Sequence, residues 1–274
     1  NWLSPQVQGY IPVFYSFVYV WPILALVFVF TRSLLWLWWE RGLAFAILLS
    51  ALTVWNLSLG SERIWYAAET DDDTAQTSRL QDEDAFYAQQ TLLPKAIESL
   101  QAEKPNTIDW YFLGVAGAAY QDVFRNEVET VRSLFDNRFA TSGHSLVLIN
   151  NDESVLREPI ATRTSIETAL QAMAQKMDKE HDVLFLFITS HGSEDHQIEL
   201  NYWPLDLAFI TPEWLRQTLD DSGIRRRVIV LSACYSGGFI PALQSPDTVI
   251  ITAASAKQAS FGCQGDADLT YFGR

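Results

Sequence analysis

The chain has 274 residues, 49% of them hydrophobic, with 33 acidic and 19 basic side chains and a formal net charge of −14. That length holds one sizeable α/β domain plus an appendage. The acidic balance excludes a nucleic-acid partner, which would require a basic face.

The charge is unevenly spread. Residues 1–60 contain only Arg32, Glu40 and Arg41. From Tyr10 to Phe30 no residue is charged, about the ~20 residues needed to cross a bilayer. Pro12 and Pro22 are tolerable in such a helix. A second uncharged run extends from Gly42 to Gly60. The connection between them carries Trp36, Trp38 and Trp39, and seven of the ten tryptophans precede residue 66, as interfacial aromatic belts do. Two transmembrane helices are therefore predicted within residues 1–60. The first run is not followed by a small-residue cleavage site, so it does not read as a signal peptide. The chain starts without Met, and further spans upstream are expected.

Arg32 and Arg41 lie in the short connection, whereas the segment after the second span turns acidic at Glu69 and Asp71–Asp73. The bias of lysine and arginine toward cytoplasmic loops then puts the large domain outside the cytoplasm. Residues 66–80 are polar and read as a linker. Residues 82–103 carry Phe86, Leu92, Leu93, Ile97 and Leu100 at helical spacing, a packing helix broken or kinked near Pro94. The domain plan is a membrane region over 1–60, a linker and packing helix over 61–103, and a main domain over 104–274.

From there strands and helices alternate: strand 107–115, helix 121–139, strand 145–150, helix 164–179, strand 183–189, helix 211–221, and strands 227–232 and 248–253. Thr211-Pro212-Glu213 marks a helix start. The rhythm implies a mostly parallel sheet with helices on both faces. Arg225-Arg226-Arg227 reads as a solvated turn between a helix and a strand.

Two strings carry the chemistry. Val183-Leu-Phe-Leu-Phe-Ile-Thr-Ser-His191-Gly192 and Arg227-Val-Ile-Val-Leu-Ser-Ala-Cys234-Tyr-Ser-Gly237-Gly238 each run through a strand buried on both faces. Each ends at the carboxyl edge of the sheet, where α/β proteins bind ligands. An imidazole beside a cysteine makes the thiol a nucleophile near neutral pH. Glycine after the histidine lets a carbonyl approach and aims a backbone N–H at a developing oxyanion. His191 and Cys234 are thus a candidate dyad. His191, His196, Cys234 and Cys263 lack the paired spacing of a zinc site. Ser236 lacks the first glycine of a nucleophile elbow. Gly114-Val-Ala-Gly117 lacks the lysine and third glycine of a phosphate loop. A disulfide between Cys234 and Cys263 would need an oxidising compartment and would switch the nucleophile off, so a free, packed Cys263 is expected.

The order of His-Gly-Ser at 191–193 and Ala-Cys-Tyr-Ser-Gly-Gly at 233–238 resembles the legumain-like cysteine peptidases. So do Gly-Val-Ala-Gly at 114–117, Phe-Arg at 124–125, Ile-Thr-Ala-Ala at 251–254 and Ser-Phe-Gly-Cys at 260–263. That family includes the catalytic subunit of the glycosylphosphatidylinositol transamidase. The resemblance spans about Asp109 to the last residue and is greatest to a bacterial branch with hydrophobic N-terminal segments. It implies a caspase-like α/β fold, a peptide or protein substrate, attachment to a bacterial inner membrane with a periplasmic domain, and no cofactor or metal.

It further implies His191 as catalytic imidazole, Cys234 as nucleophile, and the Gly192 and Cys234 N–H groups as oxyanion hole. Arg125 corresponds to an arginine of the specificity pocket. The sequence departs from the family at four places: Ser232 stands where legumains carry glutamate, Ser190 where they carry aspartate, Ala259 at a pocket serine, and Arg274 at a pocket aspartate. An arginine there removes the acceptor for an asparagine amide and favours an acidic side chain before the scissile bond. The thioester passes either to water or to another amine, and a non-catalytic sensor domain of the same fold is the remaining alternative. The family's domain continues past Arg274, so a final helix is expected beyond it.

Overall fold

The computed structural model describes residues 78–260, 269–270 and 272–273. Both predicted spans, most of the linker, Cys263 and Arg274 lie outside the described residues. Among the described residues no helix is long and apolar enough to cross a membrane.

The elements are α1 (Glu83–Glu98), β1 (Trp110–Ala116), α2 (Asp122–Arg138), β2 (Ser145–Ile149), α3 (Arg163–Lys176), β3 (Val183–Thr189), α4 (Pro212–Ser222), β4 (Arg226–Ser232), the short α5 (Ile240–Leu243) and β5 (Thr248–Thr252). The five strands form one sheet in the order β2-β1-β3-β4-β5, and every pairing is parallel. This is the expected caspase-like α/β arrangement.

Strand order explains the layers. The step from β1 to β2 runs opposite to the later steps, and right-handed crossovers send its helix to the opposite face. Accordingly α2 covers one face, packing Val123, Phe124, Val128 and Phe135 on Phe112, Val147 and Phe187. The other face carries α3 and α4, with Ile166, Leu170, Leu215 and Leu219 against Leu113, Leu186 and Ile229. The winding reverses beside β1, so the switch point of the sheet lies at the carboxyl ends of β1 and β3, the place where such sheets bind ligands.

Helix α1 runs through Pro94 to Glu98 without the expected break. The Gln89 side chain anchors it, donating to the carbonyls of Val155 (2.7 Å) and Glu158 (3.0 Å) and accepting from the Ile160 N–H (3.0 Å). Leu93, Ala96 and Ile97 pack on the core, whereas Phe86, expected on that face, is 59% exposed. The arginine triplet also divides. Arg225 pairs with Glu180 and Asp247 at the surface. Arg227 is buried and donates to the carbonyls of Leu219 (2.8 Å) and Ile224 (2.6 Å). It satisfies carbonyls that the end of α4 leaves without helical partners.

Candidate active site

The sheet register sets the site. Thr189 at the end of β3 pairs with Ser232 at the end of β4, and the Ser190 N–H adds one more rung to the Ser232 carbonyl (3.2 Å). His191 and Cys234 each follow two residues beyond the Thr189–Ser232 pair, so both leave the sheet at the same level on neighbouring strands.

Gly192 joins the two strand ends. It bridges Ile198 in antiparallel fashion through bonds made by its neighbours, Ser193 N–H to Gln197 O (3.0 Å) and Glu199 N–H to His191 O (2.9 Å). Gly192 is the non-hydrogen-bonded member of that bridge, so the bridge does not consume its own N–H. A Cβ here would run into the Cys234 carbonyl oxygen and stand 3.1 Å from the Cys234 nitrogen. Only glycine permits that approach, and it sets the two peptide groups assigned to the oxyanion hole side by side.

Residues at the start of α2 and just before it hold the imidazole. His191 Nε2 lies 3.1 Å from Gln121 Oε1. An amide oxygen can only accept, so this contact suits the neutral tautomer with its proton on Nε2 and Nδ1 left to accept. The Tyr120 ring stacks on the imidazole at 5.6 Å and Phe124 meets it edge-on at 5.0 Å. Burial pushes the His191 pKa down, and the negative charge of Glu199 partly offsets this. The Tyr120 hydroxyl donates to Glu199 Oε2 (3.0 Å); burial and then this carboxylate hold the phenol well above its ordinary pKa.

The Cys234 loop is tied to the loop after β5. Tyr235 N–H donates to Gln258 O (3.0 Å) and Gly237 N–H to Ala254 O (2.9 Å). Ser260 N–H donates to Cys234 Sγ at 3.2 Å, a donor suited to sulfur carrying negative charge. Tyr235 adopts a left-handed conformation, φ 55°, turning the chain sharply after the cysteine. The His196 ring lies against Gly238, so that histidine buttresses the same loop.

The other predicted residues separate. Ala259 is exposed beside Ser260, next to the sulfur. Arg125 sits one helical turn after Gln121 and pairs through Nη1 with Glu153 and through Nη2 with Asp122 (3.7 Å). Ser232 is buried, its hydroxyl directed to Glu127 (3.3 Å) and Thr270 (3.3 Å). Ser190 is also buried, its hydroxyl donating to Glu199 O (2.7 Å). Gly117 lies against that same carbonyl and the Ser190 hydroxyl, so the second glycine of Gly-Val-Ala-Gly is spent on loop packing.

Gln121, Tyr120, Glu199 and Glu127 escaped the sequence reading. Gln121 left one trace: it occupies the N-cap of α2 without making a side-chain capping bond, a position where Ser, Thr, Asp or Asn is the usual choice. Its amide is engaged by His191 instead.

Residues 167–274 match the model of the Peptidase C13 family. This supports the legumain-like cysteine peptidase family. The match includes β3, β4 and β5 and both motif strings, while Gly114–Gly117 and Arg125 precede it. No curated protein matches the chain. The family indicates a cysteine peptidase or transamidase type of activity on peptide or protein substrates.

Proposed function

We propose that this protein is a membrane-anchored cysteine endopeptidase using Cys234 and His191. The observation that carries the reading is the common level of the two residues on β3 and β4, joined by the close approach of Gly192 to the Cys234 peptide. His191 Nδ1 takes the thiol proton and Sγ attacks the scissile carbonyl carbon. The carbonyl oxygen becomes an oxyanion held by the Gly192 and Cys234 N–H groups. The C–N bond then breaks, the imidazolium protonates the departing amine, and a thioester remains. Water, deprotonated by His191, attacks the thioester and releases the acid and the thiol; an amine in place of water would give transamidation. This chemistry requires no cofactor.

The side chain before the scissile bond extends toward Arg125. An acidic residue there competes with Glu153 and Asp122 for the guanidinium. The uncharged runs at 10–30 and 42–60 support the anchor, and the arginines between them support a periplasmic catalytic domain.

A thiol-reactive peptide probe tests the nucleophile. It should label Cys234 in the wild type, and Cys234→Ala should lose that label and all turnover. Equal labelling and turnover in both proteins would remove the assignment. Products formed from a peptide library, with and without added amine, separate hydrolysis from transamidation.

A further inference from the structure

Beneath the dyad lies a carboxylate that the mechanism does not use. Glu127, on the sheet-facing side of α2, is fully buried. Thr189 Oγ1 donates to its Oε2, Thr270 Oγ1 donates to its Oε1, and Ser232 Oγ lies 3.3 Å from Oε2. The Gly273 N–H donates to Thr270 Oγ1 (3.1 Å), and the Gly273 backbone packs on the same carboxylate. No ion pair reaches Glu127 among the described residues. Burial raises its pKa against the opposing effect of the three hydroxyls.

The identity of the partners gives the cluster meaning. Thr189 stands two residues before His191, Ser232 stands two residues before Cys234, and these two are register partners. One carboxylate therefore hydrogen-bonds both strands immediately before they leave the sheet. It also holds the segment carrying Thr270 against them. The resemblance places a glutamate at the position of Ser232; here the carboxylate comes from α2, on the face to which the Ser232 side chain points.

Resting on the peptidase reading, we propose that Glu127 is a positioning residue: it fixes the His191 and Cys234 strand ends at a common height and holds Thr270 and Gly273 against them. A buried carboxylate with three hydroxyl partners costs desolvation that a leucine would not. A group that touches both strands returns geometric precision, which acyl transfer rewards strongly because a displacement of ~1 Å can cost about 10²-fold.

The test is the rate at which iodoacetamide alkylates Cys234 in the full chain, followed by peptide mass mapping across pH 5 to 10. On the dyad reading, alkylation of the wild type should persist to pH values below that of an ordinary thiol. Glu127→Gln should slow it at pH 7 by about tenfold or more and move the profile toward an ordinary thiol. Ser232→Ala, a smaller change that keeps the carboxylate, should move it in the same direction by less. A merely structural glutamate would lower the melting temperature and leave the profile of the folded fraction in place. Wild-type profiles in both variants would overturn the inference, and Ser232→Ala decides it if Glu127→Gln does not fold. A wild-type Cys234 that behaves as an ordinary thiol would overturn the dyad itself, and the positioning role with it.

Discussion

The two sides of the candidate site are built by different means. On the dyad side, backbone sets the geometry: sheet register brings His191 level with Cys234, and a missing Cβ lets Gly192 lie on the Cys234 peptide. On the pocket side, Arg125 is placed by long side chains, through partners Glu153 and Asp122 that are 66% and 58% exposed. Backbone geometry is shared along a whole sheet and resists change, whereas the Arg125 guanidinium, itself largely buried, is held by carboxylates whose own side chains are mostly in solvent and can swing away. On the proposed reading, the chemistry is thus rigidly specified and the substrate preference loosely so.

Gly192→Ala strikes the rigid side and carries the larger expected effect. Its methyl group must displace the Cys234 carbonyl, which belongs to the nucleophile's own peptide. Overpacking of this kind costs about 1–3 kcal/mol of stability, and a shift of ~1 Å at the oxyanion position costs about 10²-fold in kcat. Peptide hydrolysis measured beside thermal melting checks both. A variant with wild-type kcat would show that Gly192 stands away from the reacting carbonyl.

Arg125 and Glu153 probe the loose side. Arg125→Ala should raise KM for a substrate with an acidic residue before the scissile bond by about tenfold, while kcat moves far less. Glu153→Gln should act oppositely, lowering KM for that substrate, because it frees Nη1 from a carboxylate competitor. KM values for matched aspartate and asparagine peptides make the comparison. If neither variant discriminates between the two peptides, Arg125 belongs to the scaffold.

The same division decided what could be read from sequence. Strands β3 and β4 were legible because uninterrupted Val, Ile, Leu and Phe runs signal burial on both faces, and their glycine-flanked His and Cys mark the ends. The fold followed from alternating strands and helices. Gln121, Glu199 and Glu127 were not legible, since each acts through a contact across 62 to 143 positions or through a loop whose path the local pattern does not encode. Ser232 shows the difficulty most clearly. It departs from the family at a position beside the nucleophile, yet the structure turns its hydroxyl inward to a helix carboxylate 105 residues away in sequence.

Glu199 lies between the two regimes and gives the smallest expected effect. Its charge raises the His191 pKa, opposing burial, which lowers it. Replacing Glu199 with Gln removes the charge and keeps an acceptor for Tyr120, so the imidazole should lose its proton at lower pH. In an active enzyme the imidazole and thiol titrate together, and the apparent values belong to the pair. The clean measurement is therefore the His191 titration by NMR in a Cys234→Ala background, with and without Glu199→Gln. Added salt should shrink the difference, because only the Coulombic contribution is screened. A pKa that stays fixed or rises on removal of Glu199 would mean that the Tyr120 stack and burial alone set the histidine, leaving the carboxylate to hold Tyr120 and Asn201 in place.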